Sequence, residues 1–125
     1  MADGSQAWDF EADVVVLGSG AAALVAALAA NEYGAKDVIV VEKSGMVGGT
    51  SAMSGGMFWI PLNHHSLEAG VEDSFEDVVT YLDHLAPGQL EDDPLSGFLE
   101  GGPAMIKFLA DKTPVNFKPF LDFPD

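Results

Sequence analysis

The sequence predicts an α/β fold that opens with a strand, a helix and a second, parallel strand. Val14–Leu17 and the interior of 37–42 are short runs of mostly β-branched residues, which is typical of strands buried on both faces of a sheet. Between them, Ala21–Ala30 consists almost entirely of Ala and Leu and has the highest helix propensity in the chain. Two such strands joined by one helix form a βαβ unit with parallel strands.

The connections around this unit are rich in glycine. We expect the helix to end near Tyr33 and Gly34, because Gly34 can adopt the left-handed conformation that closes a helix. Residues 44–63 then mix glycines with Ser, Thr, Met and aromatic side chains without a clear period. A flexible linker would not carry so many large apolar residues, so we expect an ordered loop whose backbone approaches something closely.

Apolar residues at helical spacing predict a helix over Phe75–Leu85, with an apolar packing face. Asp73 or Ser74 can cap its start, and the Pro87-Gly88 pair ends it.

Two shorter helices are expected further along the chain. Asp93-Pro94 and Gly102-Pro103 each place a proline just inside a helix start, which predicts helices near 94–100 and 103–111. The remaining residues, 115–125, are rich in Phe and Pro and are expected to be irregular.

Composition excludes several classes of function. The 125 residues carry 5 basic against 20 acidic side chains, a formal charge of −15, which rules out binding to nucleic-acid phosphates. The uncharged stretch Val14–Ala30 is interrupted by glycine and has no basic flank, so no membrane span is expected. The chain has no Cys, which excludes disulfides and thiolate metal sites. Its acidic, polar start does not resemble a secretory signal, and we expect a cytoplasmic protein.

A dinucleotide-binding motif lies at the predicted strand-to-helix turn. Gly18 permits the tight turn, Gly20 lets a pyrophosphate approach the backbone, and Ala23 is small enough for the helix to pack on the strands. Glu42 ends the second strand, where an acid can accept hydrogen bonds from a ribose and disfavours a 2′-phosphate. The alternative is a plain glycine turn with a solvated Glu. The correct strand-turn-helix context favours a Rossmann-like dinucleotide site.

The loop after the second strand favours FAD over NAD. Gly48-Gly49-Thr50-Ser51 and Ser54-Gly55-Gly56 offer a row of backbone donors and small hydroxyls. A plain NAD site does not need such a row, whereas a flavin passes this side of the sheet with its pyrophosphate, ribityl chain and ring edge. The alternative is a glycine-rich loop needed only for packing.

These motifs resemble a known family. Gly18-Ser-Gly-Ala-Ala-Ala23, Glu42-Lys43, Gly48-Gly-Thr-Ser51 and the segment from Ser54 to Asn63 are similar to the FAD domain of the fumarate reductase/succinate dehydrogenase flavoprotein superfamily. The segment 54–63 most resembles the 3-ketosteroid Δ1-dehydrogenase branch, and the likeness runs from about Asp13 to Asp125. The resemblance implies non-covalent FAD, because the position of the flavin-linked histidine in the membrane-bound relatives falls near Gly49 here. The cofactor-binding residues it implies are Gly18, Ser19, Gly20, Ala21, Ala22, Ala23, Glu42, Lys43, Ser44, Gly48, Gly49, Thr50, Ser51, Ser54, Gly55 and Gly56.

The resemblance also implies an activity, the α,β-desaturation of a small hydrophobic cyclic ketone. In that branch a tyrosine-type base removes the proton α to the carbonyl, a hydride leaves the β carbon for FAD, and an external acceptor reoxidises the flavin. Tyr33 ends a helix and Tyr81 is expected on the exposed side of another, so no catalytic residue is assigned here. Ser54 and Phe123 match positions that line the substrate, although Phe123 could equally be a core aromatic residue.

The chain is expected to need a larger C-terminal partner chain that completes the FAD and substrate sites, because two strands cannot form a full sheet. We divide it into an acidic lead-in (1–12), the βαβ unit with its flavin loop (13–63) and a helical part of the same domain (64–125). His64 and His65 are expected to be a surface pair, with no metal site.

Two other functions remain open from the residues. A fumarate- or urocanate-type FAD-dependent reductase would run the flavin chemistry in the opposite sense, although the chain has no Arg for substrate carboxylates. A non-catalytic dinucleotide-binding module would use the phosphate turn but not the glycine-rich loop.

Overall fold

The computed structural model describes residues 8–122 of the chain, which fall into two compact units divided after Met57. The elements in chain order are β1 (Val14–Leu17), α1 (Ala21–Glu32), β2 (Val38–Val41), a 3₁₀ turn (Gly49–Met53), α2 (His64–Glu68), α3 (Phe75–Leu85) and α4 (Asp92–Lys112).

The first unit is the predicted βαβ motif. β1 and β2 pair in parallel, with Val14 opposite Val38 and Leu17 opposite Val41, and α1 connects them. The helix ends one residue before Tyr33, and Gly34 follows with φ +108°, as expected for a glycine that closes a helix. The described residues form a sheet of these two strands.

A carboxylate connects the amino-terminal ends of the two strands. Oδ2 of Asp13 accepts hydrogen bonds from the backbone N–H groups of Lys36 (2.8 Å) and Asp37 (3.2 Å), just before β2. These two hydrogen bonds lower the pKa of the Asp13 carboxyl below its ordinary value of 3.8, since they stabilise the charged form. Asp13 therefore sets where β2 begins relative to β1.

The second unit contains the apolar core. Val78 of α3 and the α4 residues Leu99, Ile106 and Leu109 are its buried hydrophobic side chains.

The prediction for α3 is confirmed at both ends. Ser74 is the N-cap, because its Oγ accepts a hydrogen bond from the N–H of Asp77. The predicted packing face is only partly covered, since Phe75 and Leu85 are exposed.

The two short helices expected near 94–100 and 103–111 are instead one helix, α4, with Pro103 inside it. Proline removes a backbone hydrogen bond and usually bends or ends a helix. Two features favour continuity here. Gly102 has no Cβ to clash with the proline ring, and the buried residues before and after Pro103 lie on one continuous face. Packing of that face outweighs the loss of one hydrogen bond.

Helix α2 was not anticipated from the sequence. It is short, and the feature of the sequence that marks its start is the N-cap Asn63, whose Oδ1 accepts a hydrogen bond from the N–H of Ser66.

The end of the predicted loop, from Phe58, lies in the second compact unit. Phe58 stacks edge-on against Phe117 (4.9 Å between ring centres), and Trp59 contacts Tyr81 and Phe98.

Candidate functional site

The turn after β1 has glycine, and therefore no side chain, at positions 18 and 20. Gly18 has φ +93°, a conformation that favours glycine, and its N–H donates to the carbonyl of Val41 (2.7 Å). Gly20 then caps α1, whose first turn contains no acidic residue. The start of α1 is therefore a backbone surface with the positive end of the helix dipole, which suits an anionic group.

Glu42 lies beside this turn and is held by three donors. Its Oε2 accepts from the N–H (3.0 Å) and the hydroxyl (2.5 Å) of Ser19, and its Oε1 accepts from the N–H of Ser44 (3.0 Å). The hydroxyl of Ser19, followed by the Ser44 N–H, lowers the pKa of Glu42 from an ordinary 4.5 to about 2. The carboxylate is therefore ionised and fixed in direction at neutral pH.

Ser19 is the buried residue of the site, with 1% of its surface exposed. Its Oγ donates to Glu42 and accepts from the N–H of Gly48 (2.9 Å). The side chain of Ser19 therefore connects the turn after β1, the acid after β2 and the beginning of the glycine-rich loop.

The glycine-rich loop folds back over the turn after β1, residues 18–20, which is called the phosphate turn below. Gly48 has φ +113° and precedes the 3₁₀ turn. Ser51 Oγ accepts a hydrogen bond from the N–H of Ala21 (3.1 Å), at the first position of α1. A Cβ on Gly49 would lie 3.3 Å from Cα of Gly20, so the two backbones touch. The backbone of the loop 44–63 was predicted to approach another group closely. At Gly48–Ser51 the structure shows that one such group is the turn after β1.

Together these residues form an open cleft of about 490 Å³ at the carboxyl ends of the two strands. In parallel sheets, ligands bind at this end of the strands. The cleft can hold part of a dinucleotide, with backbone donors on one side and the ribose acid on the other. Its lining residues are Leu17, Gly18, Ser19, Gly20, Val41, Glu42, Lys43 and Gly49.

The remaining predicted site residues lie elsewhere. Ser44 holds Glu42 through its N–H, while its own hydroxyl donates to the carbonyl of Met46. Ser54 makes a local turn, donating to the carbonyl of Ser51 and accepting from the N–H of Gly56. Phe123 lies outside the described residues. Sequence reasoning did not include the apolar lining residues Leu17 and Val41, which could have been found as the strand ends that flank the motif.

The predicted histidine and tyrosine placements have mixed outcomes. His64 and His65 contact each other, with ring centres 4.0 Å apart, and Nε2 of His65 is buried. Within residues 8–122 no group of three or more His, Asp or Glu side chains could hold a metal ion. Tyr33 is fully outside the cleft and 86% exposed. The expectation that Tyr81 is exposed is wrong, because it is half-buried against Trp59.

The fold and the cleft define an α/β dinucleotide-binding protein. The chain belongs to the FAD binding domain family, whose family model matches residues 13–125. FAD is therefore its cofactor, and the prediction of FAD rather than NAD is confirmed. The absence of side chains at Gly18 and Gly20, beside an ionised Glu42, fits such a cofactor.

Several relatives are dehydrogenases named for ketone substrates. The chain is 45% identical, over 113 residues, to 4-oxocyclohexanecarboxylate 2-dehydrogenase of Sinomonas cyclohexanicum, covering 90% of this chain and 20% of that one. Among solved structures, it resembles 3-ketosteroid Δ1-dehydrogenase of Sterolibacterium denitrificans (TM-score 0.72, 43% identity, 80% of this chain and 17% of that one). It also resembles 3-ketosteroid Δ4-(5α)-dehydrogenase of Rhodococcus jostii (TM-score 0.78, 34% identity, 94% and 24%).

These relatives are much longer proteins. The chain spans about a fifth of the length of the curated relative described above. The resemblance predicted from the sequence, including its 3-ketosteroid dehydrogenase branch, is confirmed. In the part of the chain that the structure describes, no helix is long and apolar enough to cross a membrane.

Proposed function

We propose that this chain holds the adenosine–pyrophosphate part of FAD in a dehydrogenase that introduces a double bond next to the carbonyl group of a cyclic ketone. The observation that carries the proposal is the cleft in which the bare phosphate turn, the fixed acid Glu42 and the folded-back loop at Gly48–Ser51 meet. The ketone is suggested by the three relatives described above, each of which is named for an oxo group on a ring.

Different residues of this chain would bind different parts of FAD. The N–H groups of Ala22 and Ala23, in the first turn of α1, have no partner within the helix and would donate to the pyrophosphate. Glu42 would accept a ribose hydroxyl. Lys43 lines the same cleft and would add positive charge near the phosphates.

The other predicted cofactor residues belong to the flavin side of the site. Thr50, Ser51 and the 54–56 turn would follow the FAD chain toward its ring, with Ser54 and Phe123 nearest the substrate. When bound, FAD supplies the acceptor for the hydride of the β carbon. We propose non-covalent attachment.

Part of the dehydrogenase must come from further polypeptide, such as the larger C-terminal chain predicted from the sequence. Parallel sheets are normally covered on both faces, yet Leu17 is 80% exposed and no residue of α1 is buried. These apolar surfaces suit the remaining strands and helices of a complete FAD domain. That further polypeptide would supply the tyrosine-type base, and the expected cytoplasmic location also stays a prediction.

The experiment uses the protein as isolated from its source, with any polypeptide that accompanies it. Native mass spectrometry and the flavin absorbance spectrum should show a complex with one releasable FAD. Incubation with 4-oxocyclohexanecarboxylate or a 3-oxosteroid, with a phenazinium dye as electron acceptor, should give the conjugated enone. Protein that carries no flavin would overturn the proposal.

Two variants separate binding from folding. A Cβ on Gly20 would meet only Ser51 Oγ, at an ordinary 3.7 Å, so Gly20→Ala should fold normally. It would nevertheless occupy the place of the pyrophosphate, and Gly20→Val still more, so both should be isolated without flavin. Gly45→Ala is the matched control, because nothing lies within 4 Å of its added methyl group. Yellow Gly20→Val protein would contradict this assignment of the turn.

The assays also distinguish the other two functions. Reduction of fumarate by the reduced dye, without oxidation of either ketone, would identify a reductase. Binding of an adenine dinucleotide with no turnover in either direction would identify a non-catalytic module.

A further inference from the structure

We infer that Ser19 is a positioning residue of the cofactor site: its buried hydroxyl fixes the Glu42 carboxylate toward the ribose and couples it to the start of the flavin loop at Gly48. This inference rests on the proposed FAD site, because it assigns how that site is held. It concerns a side chain that is almost fully buried, since Ser19 is 1% exposed, and whose hydroxyl is bonded to other protein groups.

The hydrogen bonds of Ser19 leave its hydroxyl fully committed. The group has one hydrogen to donate, and it is donated to Oε2 of Glu42 at 2.5 Å. The same oxygen accepts the N–H of Gly48 at 2.9 Å. Because the hydroxyl is buried, water does not compete for either bond. A displacement of the loop at Gly48 should therefore change the position of the Glu42 carboxylate, and a displacement of Glu42 should change the position of the loop.

The carboxylate of Glu42 has limited remaining capacity. Two carboxylate oxygens offer about four lone-pair sites. The N–H and hydroxyl of Ser19 occupy both sites on Oε2, and the N–H of Ser44 occupies one on Oε1. The hydroxyl of Ser44, which also lowers the pKa of Glu42, lies near the same carboxylate. At most one acceptor site is therefore left, on Oε1, so Glu42 can accept one ribose hydroxyl rather than two.

No charged partner contributes to this arrangement. The groups that lower the pKa of Glu42 are the hydroxyl and N–H of Ser19 and the N–H and hydroxyl of Ser44, and the charged side chain lining the same cleft is Lys43. Loss of the Ser19 hydroxyl would therefore raise the pKa of Glu42 from about 2 toward its ordinary 4.5. It would also leave the N–H of Gly48 without its partner.

The test compares Ser19→Ala with the unchanged protein, stripped of FAD and reconstituted, between pH 3.5 and 7 at about half-unit steps. The unchanged protein should bind FAD with nearly constant affinity, because Glu42 stays ionised throughout. Ser19→Ala should bind about tenfold more weakly at pH 7, the loss expected for one hydrogen bond to a charged group. Its affinity should fall further toward the acidic end of this range, because the pKa of its Glu42 is higher than that of the unchanged protein and the carboxylate begins to be protonated there.

Two control variants make the result specific. Ser51→Ala also removes a hydroxyl that hydrogen-bonds near the start of α1, but Ser51 contacts Ala21 and not Glu42, so its pH profile should stay flat. Glu42→Gln removes the titrating group, and adding Ser19→Ala to it should produce no further pH dependence. A pH-dependent loss that persists in the double variant would overturn the inference.

A second measurement does not depend on FAD. In protein labelled with ¹³C at the glutamate carboxyl carbon, the Glu42 signal, identified by its absence in Glu42→Gln, should titrate at higher pH in Ser19→Ala. An unmoved midpoint would overturn the role of Ser19 even if FAD binds. Unchanged protein that binds no FAD would instead overturn the proposed function. If Ser19→Ala does not fold, Ser19→Cys, which keeps a weak donor, must show a smaller upward shift, and no shift would again overturn the inference.

The single acceptor site has its own test. FAD analogues that lack either the 2′- or the 3′-hydroxyl of the adenosine ribose should differ, with one analogue binding about tenfold more weakly and the other almost normally. An equal loss with both analogues would contradict a single acceptor site on Oε1.

Discussion

The two compact units of this chain are held together by different forces. In the first, up to Met57, the buried side chain is the polar Ser19, and hydrogen bonds to Glu42 and Asp13 connect the strands and loops. In the second, from Phe58, the buried hydrophobic core consists of aliphatic residues of α3 and α4. Both units leave apolar side chains exposed, but among the described residues only the second buries a group of aliphatic side chains. The first unit, which contains the cofactor cleft, therefore keeps its order mainly through directional hydrogen bonds.

The largest expected effect tests the core of the second unit. Ile106 is 2% exposed, so Ile106→Ala should lower the free energy of unfolding by about 2–5 kcal/mol, through lost burial and the cavity left behind. Ile106→Val should cost about 0.5–1.5 kcal/mol. Urea unfolding followed by Trp59 fluorescence, in a Trp8→Phe background, measures both. Equal losses for the two variants would argue against a tightly packed core.

The next effect concerns the backbone at Gly48. Its φ of +113° disfavours any side chain, and an added Cβ would lie 2.6 Å from Cβ of Ala52. Gly48→Ala should therefore cost about 1–3 kcal/mol in stability and weaken FAD binding. Gly45→Ala, three residues earlier, has no such clash and should behave like the unchanged protein. Both are compared by urea unfolding and FAD titration, and similar results for the two would remove the special role of Gly48.

A smaller effect is expected on the stability of the fold at acid pH, and it should come only from carboxylates of the first unit. The pKa values of Asp13 and Glu42 are lowered in the folded chain, that of Glu42 to about 2. The unfolded chain then binds protons at a higher pH than the folded one, so these groups stabilise the fold fully above about pH 4.5. That contribution is lost as the pH falls through the folded values.

The measurement is the urea midpoint as a function of pH. Asp13→Asn and Glu42→Gln should each give a flatter curve between about pH 4.5 and 2 than the unchanged protein. The Ile106→Val variant should lower the whole curve without changing its slope, because no titrating group is altered. A slope unchanged in both carboxylate variants would show that these bonds do not stabilise the fold.

The smallest effect is expected at the surface of α4. Lys107 and Asp111 form an ion pair one helical turn apart at 3.1 Å, with both side chains more than half exposed. Lys107→Ala should lower the free energy of unfolding by only about 0.2–0.5 kcal/mol, and less at high salt. Urea unfolding at low and high ionic strength checks this. A loss near that of Ile106→Ala would contradict the ranking of core over surface.

Local sequence was sufficient for much of the first unit. The strands, α1, the glycine that closes it and the placement of Gly18, Gly20 and Glu42 were all predicted, because β-branched runs, alanine-rich stretches and glycine turns act over a few residues. The family was also recognised at this stage, through the resemblance of these motifs to known flavoproteins, and the family model confirms it together with its FAD cofactor.

The errors came where distant residues decide the outcome. Pro103 signals a helix start locally, but the burial of Leu99, Ile106 and Leu109 on one face keeps α4 continuous. Tyr81 is half-buried because Trp59, 22 positions earlier in the numbering, packs against it.

The amino-acid sequence by itself determined the βαβ order, the bare phosphate turn and an acid at the end of the second strand. Only the tertiary structure decided that Ser19 turns inward to join Glu42 and Gly48, which lie 23 and 29 residues away along the chain. Hydrogen bonds over such separations depend on how strands and loops are brought together. Residue type and spacing show that these groups can form them, and the folded backbone selects which partners meet.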